Sequence, residues 1–536
     1  MMASDSTLRR WGVLGAALLS AGVAAGLGAV ALRAALDLTT EVLLGSILRL
    51  EPIASGLWYA PAEALPDRRA LLLPLLVAGG MMVTVAISRS AGPPVNGTDG
   101  VIHAVNTREL SGLTARGALV KLAGTAVTLG AGGSGGTEGP VVQVGASLGA
   151  ALTRRFGLSA ADASLVVVAA MGAGVGALFE APLGGVILAG ELLRRRGIGW
   201  TASAAALPTA PVAFGVYVAV YGYHPMFGST GFGSPWNPLT TGLLVAVGVG
   251  CALVARLYVR IFHRLGVLLA PARKRPWLTA AVSGAVIGAV GIAVPMTLGT
   301  GYGVVSLGIS PTSAAALPLW LLAVLPFVKI VSTAVTLHTG GVGGMFGPAM
   351  VIGASAGTFG WRLATDFGVD AGPVAVFTLT GLAACLGASV RAPLAAIVLA
   401  VEVAGYPIPP IGMVAAVLLA AFVTRDITLF PSQMVSAHPR VPPRPTVSVM
   451  LKTAAAWSNR TVGGPRPVRR DRLGPPREGC SMETETACGM PDLTDVPLEE
   501  LRDNHHPDVL DAFRTALRRR AAAGIILAGF NGGGGA

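Results

Sequence analysis

Two glycine-rich segments carry the residue types in this chain that could do chemistry. Residues 130–140 read GAGGSGGTEGP and residues 338–348 read HTGGVGGMFGP, and an apolar helical stretch follows each. Glycine leaves backbone N–H groups uncovered, and proline suits the first turn of a helix. Each segment therefore predicts a helix N-terminus with free N–H donors and a positive dipole, which is a place where an anion can bind.

Glu138 is a carboxylate within the first of these segments. A carboxylate inside an apolar region is costly unless it is paired, protonatable or in contact with water. At a helix N-terminus its charged form occupies the place that a dissolved anion would take, and its protonated form does not compete. We therefore expect Glu138 to act as a gate, with a purely structural capping role as the alternative. Phe346 stands at the equivalent place in the second segment, so the two segments differ there.

Other chemistries have less support in the sequence. Residues 130–136 superficially resemble a nucleotide-binding loop, but no short strand precedes them and no Gly-Lys-Ser/Thr follows. The four cysteines include no C-x-x-C and lack histidine at zinc-ligand spacing, so neither a metal site nor a disulfide framework is indicated. No cofactor is expected. A membrane-embedded enzyme stays an alternative, although the histidines of the apolar region are scattered along the chain: His103, His224, His263 and His338.

Composition shows which elements must position these residues. The chain has 536 residues, of which 53% are hydrophobic and 12% charged, against about 25% charged in an average soluble protein. Apolar stretches of the length that crosses a membrane, roughly 20 residues, recur at Trp11–Leu32, Leu71–Ser88, Thr241–Val259 and Trp277–Pro295. We therefore expect a multi-pass protein of the cell membrane, in contact with lipid.

The net charge of +12 does not point to nucleic acid. The positive residues lie in short loops beside apolar stretches, such as Arg194–Arg196 and Arg273–Arg275. Such loops are typical of the cytoplasmic side of membrane proteins. No nucleic-acid partner is expected.

An internal repeat organises the chain. Residues 120–149 and 328–357 are identical at 17 of 30 positions at a constant offset of 208, and a second match, APL followed by Glu191 or by Glu402, has an offset of 211. Arg194–Arg196 follow Glu191, whereas the uncharged sequence AGYP follows Glu402. The positive-inside rule therefore places the two ends on opposite sides of the membrane, as in an inverted-topology repeat. The predicted fold class is an all-α integral membrane protein with broken helices at the repeat interface.

These segments resemble those of the CLC family of chloride channels and proton/chloride exchangers. The matching motifs are GTEGP at 136–140 with Gln143 and Gly145, and GGMFGP at 343–348, with Lys121 at the family's distance before Glu138. The resemblance covers about residues 10–435. It implies transport of chloride or a similar small anion, a homodimer with one pore in each subunit, and many tilted, uneven helices in two inverted halves.

The resemblance also implies which residues surround the anion. Asn96 takes the place of the family's anion-coordinating serine, and Phe430 takes the place of an inner tyrosine, so one hydroxyl donor is lost. The backbone N–H groups of Met345 and Phe346 remain as central donors, and those around Glu138 serve an outer site. The implied anion-binding residues are Asn96, Gly97, Gly136, Thr137, Glu138, Gly139, Met345, Phe346, Gly347 and Phe430.

The neighbouring positions 191 and 192 bear on proton coupling. Leu192 stands where the family's exchangers usually have a proton-transferring glutamate, and Glu191 fills the preceding, mainly structural acidic position. This favours channel-like anion flow gated by Glu138, with Glu138 and Glu191 as proton-pathway candidates. A proton-coupled chloride antiporter of the same family is the alternative, and a cation-coupled solute carrier is a third possibility.

The predicted domains follow from the repeat and from composition. Residues 1–10 are expected to form an N-terminal cytoplasmic segment, 11–225 the first membrane half-repeat, and 226–438 the second, inverted half-repeat. Residues 439–536 are rich in proline, arginine and mixed charge. We expect them to form a cytoplasmic, largely disordered tail, without the pair of CBS modules that many members of the family carry.

Overall fold

The computed structural model describes residues 2–48, 52–54, 57–58, 68–90, 97–228, 237–405 and 408–433, all within the unit Met1–Pro439. Asn96 and the predicted tail, 439–536, lie outside the described residues. The helices of the first half are α1 (Met2–Thr40), α2 (Leu73–Arg89), α3 (Gly97–Thr107), α4 (Ala115–Gly130), α5 (Glu138–Phe156), α6 (Ala160–Leu178), α7 (Pro182–Glu191) and α8 (Trp200–Tyr221). Those of the second half are α9 (Pro238–Leu268), α10 (Pro276–Ala293), α11 (Gly303–Ile309), α12 (Pro311–Ala316), α13 (Leu319–His338), α14 (Phe346–Asp366), α15 (Val374–Val390), α16 (Pro393–Val403) and α17 (Ile411–Val423).

The remaining regular structure is short. A π-helix over Glu41–Ile47 continues α1, and a small antiparallel hairpin pairs β1 (Pro52–Ala54) with β2 (Leu57–Trp58). Turns of 3-10 helix lie at Arg68–Leu72, Leu110–Gly112, Pro271–Lys274 and Pro295–Thr297. The hairpin is a minor departure from the expected all-α structure, and it takes no part in the site described below.

Seven helical segments of the described chain are long and apolar enough to cross a membrane: Arg9–Ile47, Arg69–Arg89, Ala160–Leu178, Trp200–Tyr221, Pro238–Leu268, Pro276–Ala293 and Leu319–His338. Each of the four apolar stretches singled out in the sequence falls on one of them. Large apolar side chains on these helices are exposed, for example Leu19, Leu253 and Val282. Exposed apolar side chains on membrane-spanning helices are suited to contact with lipid.

The two halves follow the same order of elements. Helices α4 to α8 recur as α13 to α17, and α5 and α14 begin at Glu138 and Phe346, which are 208 residues apart like the sequence repeat. Both helices begin inside the protein, since these two residues are buried. Helices α5 and α14, which begin at buried residues, and the short helices α11 and α12 are the predicted broken helices.

Small residues allow the helices to pack closely, as expected where apolar surroundings give no hydrophobic drive for helix association. A β-carbon added at Gly172 of α6 would lie 2.8 Å from the Ala189 β-carbon of α7, and one at Gly248 of α9 would lie 2.6 Å from the Ala416 carbonyl oxygen of α17. Larger side chains at these glycines would push the helices apart.

A bidentate ion pair joins α9 to the chain that follows α17. The Arg256 guanidinium donates to both carboxylate oxygens of Asp426, at 2.8 and 2.7 Å, and to the Val423 carbonyl oxygen at 2.8 Å. Hydrogen bonding to this cation lowers the pKa of Asp426. The contact fixes the chain that leads from α17 to Phe430.

Candidate functional site

The two glycine-rich connections meet in the interior. We call residues 131–137 the first glycine loop and residues 339–345 the second glycine loop. Gly136 donates its N–H to the Gly344 carbonyl at 2.9 Å, and Gly344 donates to the Gly136 carbonyl at 2.6 Å. These glycines occupy equivalent positions in the repeat, so their antiparallel pairing is what a two-fold relation between the halves requires. The N-termini of α5 and α14 are thereby brought together.

Reciprocal side-chain contacts hold each loop to the opposite half. The Ser134 N–H donates to the Thr336 hydroxyl of α13 at 3.1 Å, and the Val342 N–H donates to the Thr128 hydroxyl of α4 at 3.0 Å. Both pairs are related by the offset of 208. The Ser134 hydroxyl also pairs with that of Thr333 at 3.0 Å, a contact that valine at 342 cannot reproduce.

The Glu138 carboxylate lies between the two helix N-termini. Glu138 is the first residue of α5, it is fully buried, and its Oε2 accepts the Gly347 N–H of α14 at 2.8 Å. The Tyr302 hydroxyl donates to Oε1, and the Thr137 hydroxyl lies 3.4 Å from the same oxygen. The carboxylate therefore occupies one backbone donor, the Gly347 N–H, at the start of α14.

Aromatic rings flank the start of α14. The rings of Phe346 and Phe430 meet edge to face with centroids 5.5 Å apart, and both side chains are buried. Within the described residues, the N–H groups of Met345 and Phe346 donate no hydrogen bond. The structure thus brings Phe430 to the predicted central donors, but it supplies a ring edge there and no hydroxyl group.

A cavity of about 610 Å³ reaches Met345, just before α14, from one side. Its wall includes Thr98, Lys121, Gln143 and Met345, whereas Glu138 does not line it. Gln143 is 2% exposed, and its Oε1 has no hydrogen-bond partner within the part of the chain that the structure describes. The cavity wall therefore combines a lysine, an amide and a hydroxyl with residues of the second glycine loop.

Two of the predicted glycines leave room for a neighbouring atom that a larger residue would displace. A β-carbon at Gly139 would lie 2.8 Å from the Gly344 α-carbon, and one at Gly347 would lie 2.6 Å from the Tyr302 hydroxyl oxygen. Gly97 begins α3 with a φ of +58° and lines the cavity. The structure thus brings together the described members of the predicted set.

Glu191 and Glu402 make a second reciprocal contact between the halves. Glu191 accepts the N–H groups of Leu394 and Ala395 at 3.4 and 2.8 Å, at the start of α16. Glu402 accepts those of Leu183 and Gly184 at 3.1 and 2.6 Å, at the start of α7. Each carboxylate therefore caps the helix of the other half, and both oxygens of Glu191 are used in this way.

Leu192 lies beside Glu191 in the buried core. Its side chain is 1% exposed, and its carbonyl accepts the Gln433 side-chain amide at 3.1 Å. Within the described part of the chain, no group of three or more His, Cys, Asp or Glu side chains is placed to hold a metal ion.

Tyr302 and Thr98 were missed in the sequence. Tyr302 is 164 residues from Glu138, and neither the glycine motifs nor the repeat indicates the contact. Thr98 follows the predicted pair Asn96 and Gly97, so proximity in the chain was a usable signal for it.

Comparison with known proteins yields relatives over most of the described chain. The family described as "Voltage gated chloride channel" matches residues 75–425. A putative chloride channel protein ClcB-like of Ralstonia nicotianae is 29% identical over 353 residues, which cover 64% of this chain and 79% of that protein. An H(+)/Cl(-) exchange transporter ClcA of Klebsiella pneumoniae is 29% identical over 296 residues, which cover 53% of this chain and 60% of that protein.

Two solved structures share the fold. A slow cyanobacterial Cl-/H+ antiporter aligns with a TM-score of 0.63 and 21% identity, covering 84% of this chain and 99% of its own. A CLC-type fluoride/proton antiporter aligns with a TM-score of 0.64 and 21% identity, covering 79% and 98%. These matches confirm the predicted inverted-repeat membrane fold.

Proposed function

Because the chain belongs to the voltage gated chloride channel family, we propose that it carries chloride or a similar small anion across the cell membrane through a pathway gated by Glu138. The observation that carries this proposal is the place of the Glu138 carboxylate. It accepts the Gly347 N–H at the start of α14 while being the first residue of α5. A negative group already occupies the point where two helix N-termini favour an anion.

The cavity supplies the cytoplasmic part of this pathway, as far as Met345 just before α14. Arg273 lines the cavity, and Arg195 donates to the carbonyl of Pro431, another lining residue, at 3.4 Å. Both arginines belong to basic loops, which the positive-inside rule assigns to the cytoplasmic side. An anion entering there meets a wall that includes Lys121 and Met345, and the N–H group of Phe346 follows at the start of α14.

Protonation of Glu138 supplies the opening step. The charged carboxylate holds the Gly347 N–H and so excludes an anion from it. A neutral carboxylic acid accepts hydrogen bonds more weakly and no longer repels an anion. Anion flow should therefore rise when Glu138 takes up a proton from the outer side.

The inner side favours flow without obligatory proton exchange. Leu192 carries no proton, and both oxygens of the neighbouring Glu191 are committed to the start of α16. We therefore propose channel-like transport. A proton-coupled antiporter is the second candidate, because the relative from Klebsiella pneumoniae is named as an exchange transporter.

A chloride gradient across proteoliposomes separates these two candidates. Channel-like transport predicts chloride flux with little or no uphill proton movement, and independence of sodium. Robust uphill proton pumping would favour the antiporter. Loss of that pumping in Glu191→Gln would then assign the inner proton step to Glu191.

The proposed function includes a subunit arrangement and a division of the chain into domains. We propose a homodimer with one pathway in each subunit, half-repeats over 11–225 and 226–438, and a cytoplasmic tail over 439–536. Asn96 stays the proposed counterpart of the anion-coordinating serine. Light scattering of the purified protein in detergent tests the dimer directly.

A further inference from the structure

Tyr302 is a buried tyrosine beside Glu138 that lies outside the two glycine-rich motifs. It lies 2% exposed just before α11, and its hydroxyl donates to Glu138 Oε1. The Gly347 N–H donates to the other oxygen, Oε2, at 2.8 Å. The two donors therefore hold one carboxylate from two different segments of the second half.

The surroundings fix the Tyr302 hydroxyl at this point. Its ring packs edge to face on Phe179 and Phe227, with centroids 6.2 and 6.0 Å away. A β-carbon at Gly347 would lie 2.6 Å from the hydroxyl oxygen, so glycine there makes room for the phenol. The aromatic contacts leave the ring little freedom to swing away when the carboxylate departs.

The chain before Tyr302 is tied to the first glycine loop. The Gly299 carbonyl accepts the Gly135 N–H at 3.1 Å and the buried Lys329 ammonium at 2.9 Å. Lys329 also donates to the Thr297 carbonyl at 2.9 Å. These bonds hold the Tyr302 backbone at a set distance from the loop that carries Glu138.

The other ionisable groups near Glu138 do not share this role. Lys329 on α13 and Tyr258 on α9 both interact with it electrostatically. The Lys329 ammonium is directed to two backbone carbonyls, and the Tyr258 hydroxyl donates to the Met345 carbonyl at 3.1 Å. Among the described residues, Tyr302 is therefore the ionisable side chain that hydrogen-bonds the Glu138 carboxylate.

We propose that Tyr302 is an anion-binding residue with two alternating partners: it holds the Glu138 carboxylate when the pathway is closed and donates to the anion when the carboxylate has left. This inference rests on the proposed gating role of Glu138. The proposed role of Tyr302 also concerns which side chain supplies a hydroxyl donor. Phe430 supplies no hydroxyl on the inner side, and Tyr302 supplies one on the side of Glu138.

Because Tyr302 has two partners, Tyr302→Phe should raise chloride flux in one background and lower chloride affinity in another. With Glu138 present and charged, losing a hydrogen bond to an ionised group frees the gate, and chloride flux at alkaline pH should rise by about tenfold. At acidic pH, where Glu138 is protonated, the flux should change much less. With Glu138 replaced by alanine, the same substitution removes a donor from the bound anion, so chloride affinity measured by calorimetry should fall by about tenfold.

Tyr217→Phe is the matched control. Tyr217 is fully buried, and its hydroxyl pairs with Arg33 at 3.3 Å, away from the glycine loops. This variant should change neither measurement. Tyr302→Leu provides a second test, because it also removes the hydroxyl and should move both quantities in the same directions as Tyr302→Phe.

The outcomes separate this inference from the proposed function. If Glu138→Gln removes the pH dependence of flux, but Tyr302→Phe or Tyr302→Leu leaves both alkaline flux and chloride affinity unchanged, the role of Tyr302 is wrong and the gate stands. A fall in alkaline flux in the folded Tyr302 variants would also overturn it. If Glu138→Gln leaves the pH dependence intact, the gate itself fails.

Discussion

The two glycine loops have the same backbone course but different side chains. Both lead into a buried helix N-terminus, they pair with each other at Gly136 and Gly344, and each donates an N–H to a threonine of the opposite half. At the first residue of the following helix, one half has Glu138 and the other has Phe346. The shared backbone provides a buried helix N-terminus twice, and the difference at this position gives only one of them a titratable group.

The lysines that precede the loops differ in the same way. Lys329 is fully buried and donates to two carbonyls beside Tyr302, whereas its repeat-mate Lys121 lines the cavity. One lysine thus holds the backbone beside Tyr302, and the other faces the cavity. Two-fold packing therefore forms the site, and side-chain differences between the halves give it a direction.

The largest effect is expected when both equivalent positions, 138 and 346, carry a carboxylate. Phe346→Glu would place a second anion at the start of α14, beside Phe430 and next to the cavity. Since a helix N-terminus holds such a charge, the new carboxylate should occupy the central donors, and chloride flux at neutral pH should fall by more than about tenfold. Flux assays on reconstituted protein measure this.

Phe346→Gln is the control for side-chain size and polarity. It should reduce flux less than Phe346→Glu, because it carries no charge. Flux in Phe346→Glu equal to that of the wild type, with gel filtration showing folded protein, would remove the start of α14 from the pathway.

Substitution of Glu191 and Glu402 tests whether the two reciprocal helix caps contribute equally to the stability of the protein. Glu191→Gln and Glu402→Gln each replace one carboxylate oxygen by an amide group, which cannot accept a backbone N–H. Each should lower stability by about 1–2 kcal/mol, with the larger loss for Glu191, because it is 4% exposed and Glu402 is less buried. Thermal unfolding in detergent, with the exposed Glu109→Gln as control, measures both.

An equal thermal response in Glu109→Gln would mean that the caps contribute nothing specific. A larger loss in Glu402→Gln than in Glu191→Gln would contradict the ranking by burial.

The smallest effect is expected from the threonines that hold the loops. Thr128→Val and Thr336→Val each remove the acceptor of one loop N–H and preserve side-chain shape. Each should cost about 1 kcal/mol. The loss should be somewhat larger for Thr128, because its hydroxyl also pairs with that of Thr84 at 3.0 Å, whereas the Thr336 hydroxyl otherwise bonds only the Ser332 carbonyl of its own helix among the described residues. Thr365→Val is a suitable control in the same unfolding assay, since among the described residues its hydroxyl bonds only the Arg362 carbonyl of its own helix. A loss confined to one of the pair would show that only one loop depends on its threonine.

Much of the fold was predictable because the repeat leaves a direct record in the sequence. The offset of 208 identified the helix starts at 138 and 346, and loop charge gave the inversion. The gate could be proposed because a carboxylate in an apolar segment is chemically conspicuous. The contacts that hold it were not predictable, since Tyr302 comes from a distant segment that has no motif of its own. The capping partners of Glu191 likewise became evident only from the packing of α7 on α16.

The pH dependence of chloride flux in Glu138→Gln tests the central claim most directly. The substituted glutamine has the shape of the protonated glutamate and cannot ionise, so flux from proteoliposomes should be high and nearly constant across pH, whereas wild-type flux should rise as the outer solution becomes acidic. Folded Glu138→Gln protein that conducts no chloride, or whose flux keeps the wild-type pH dependence, would contradict the account.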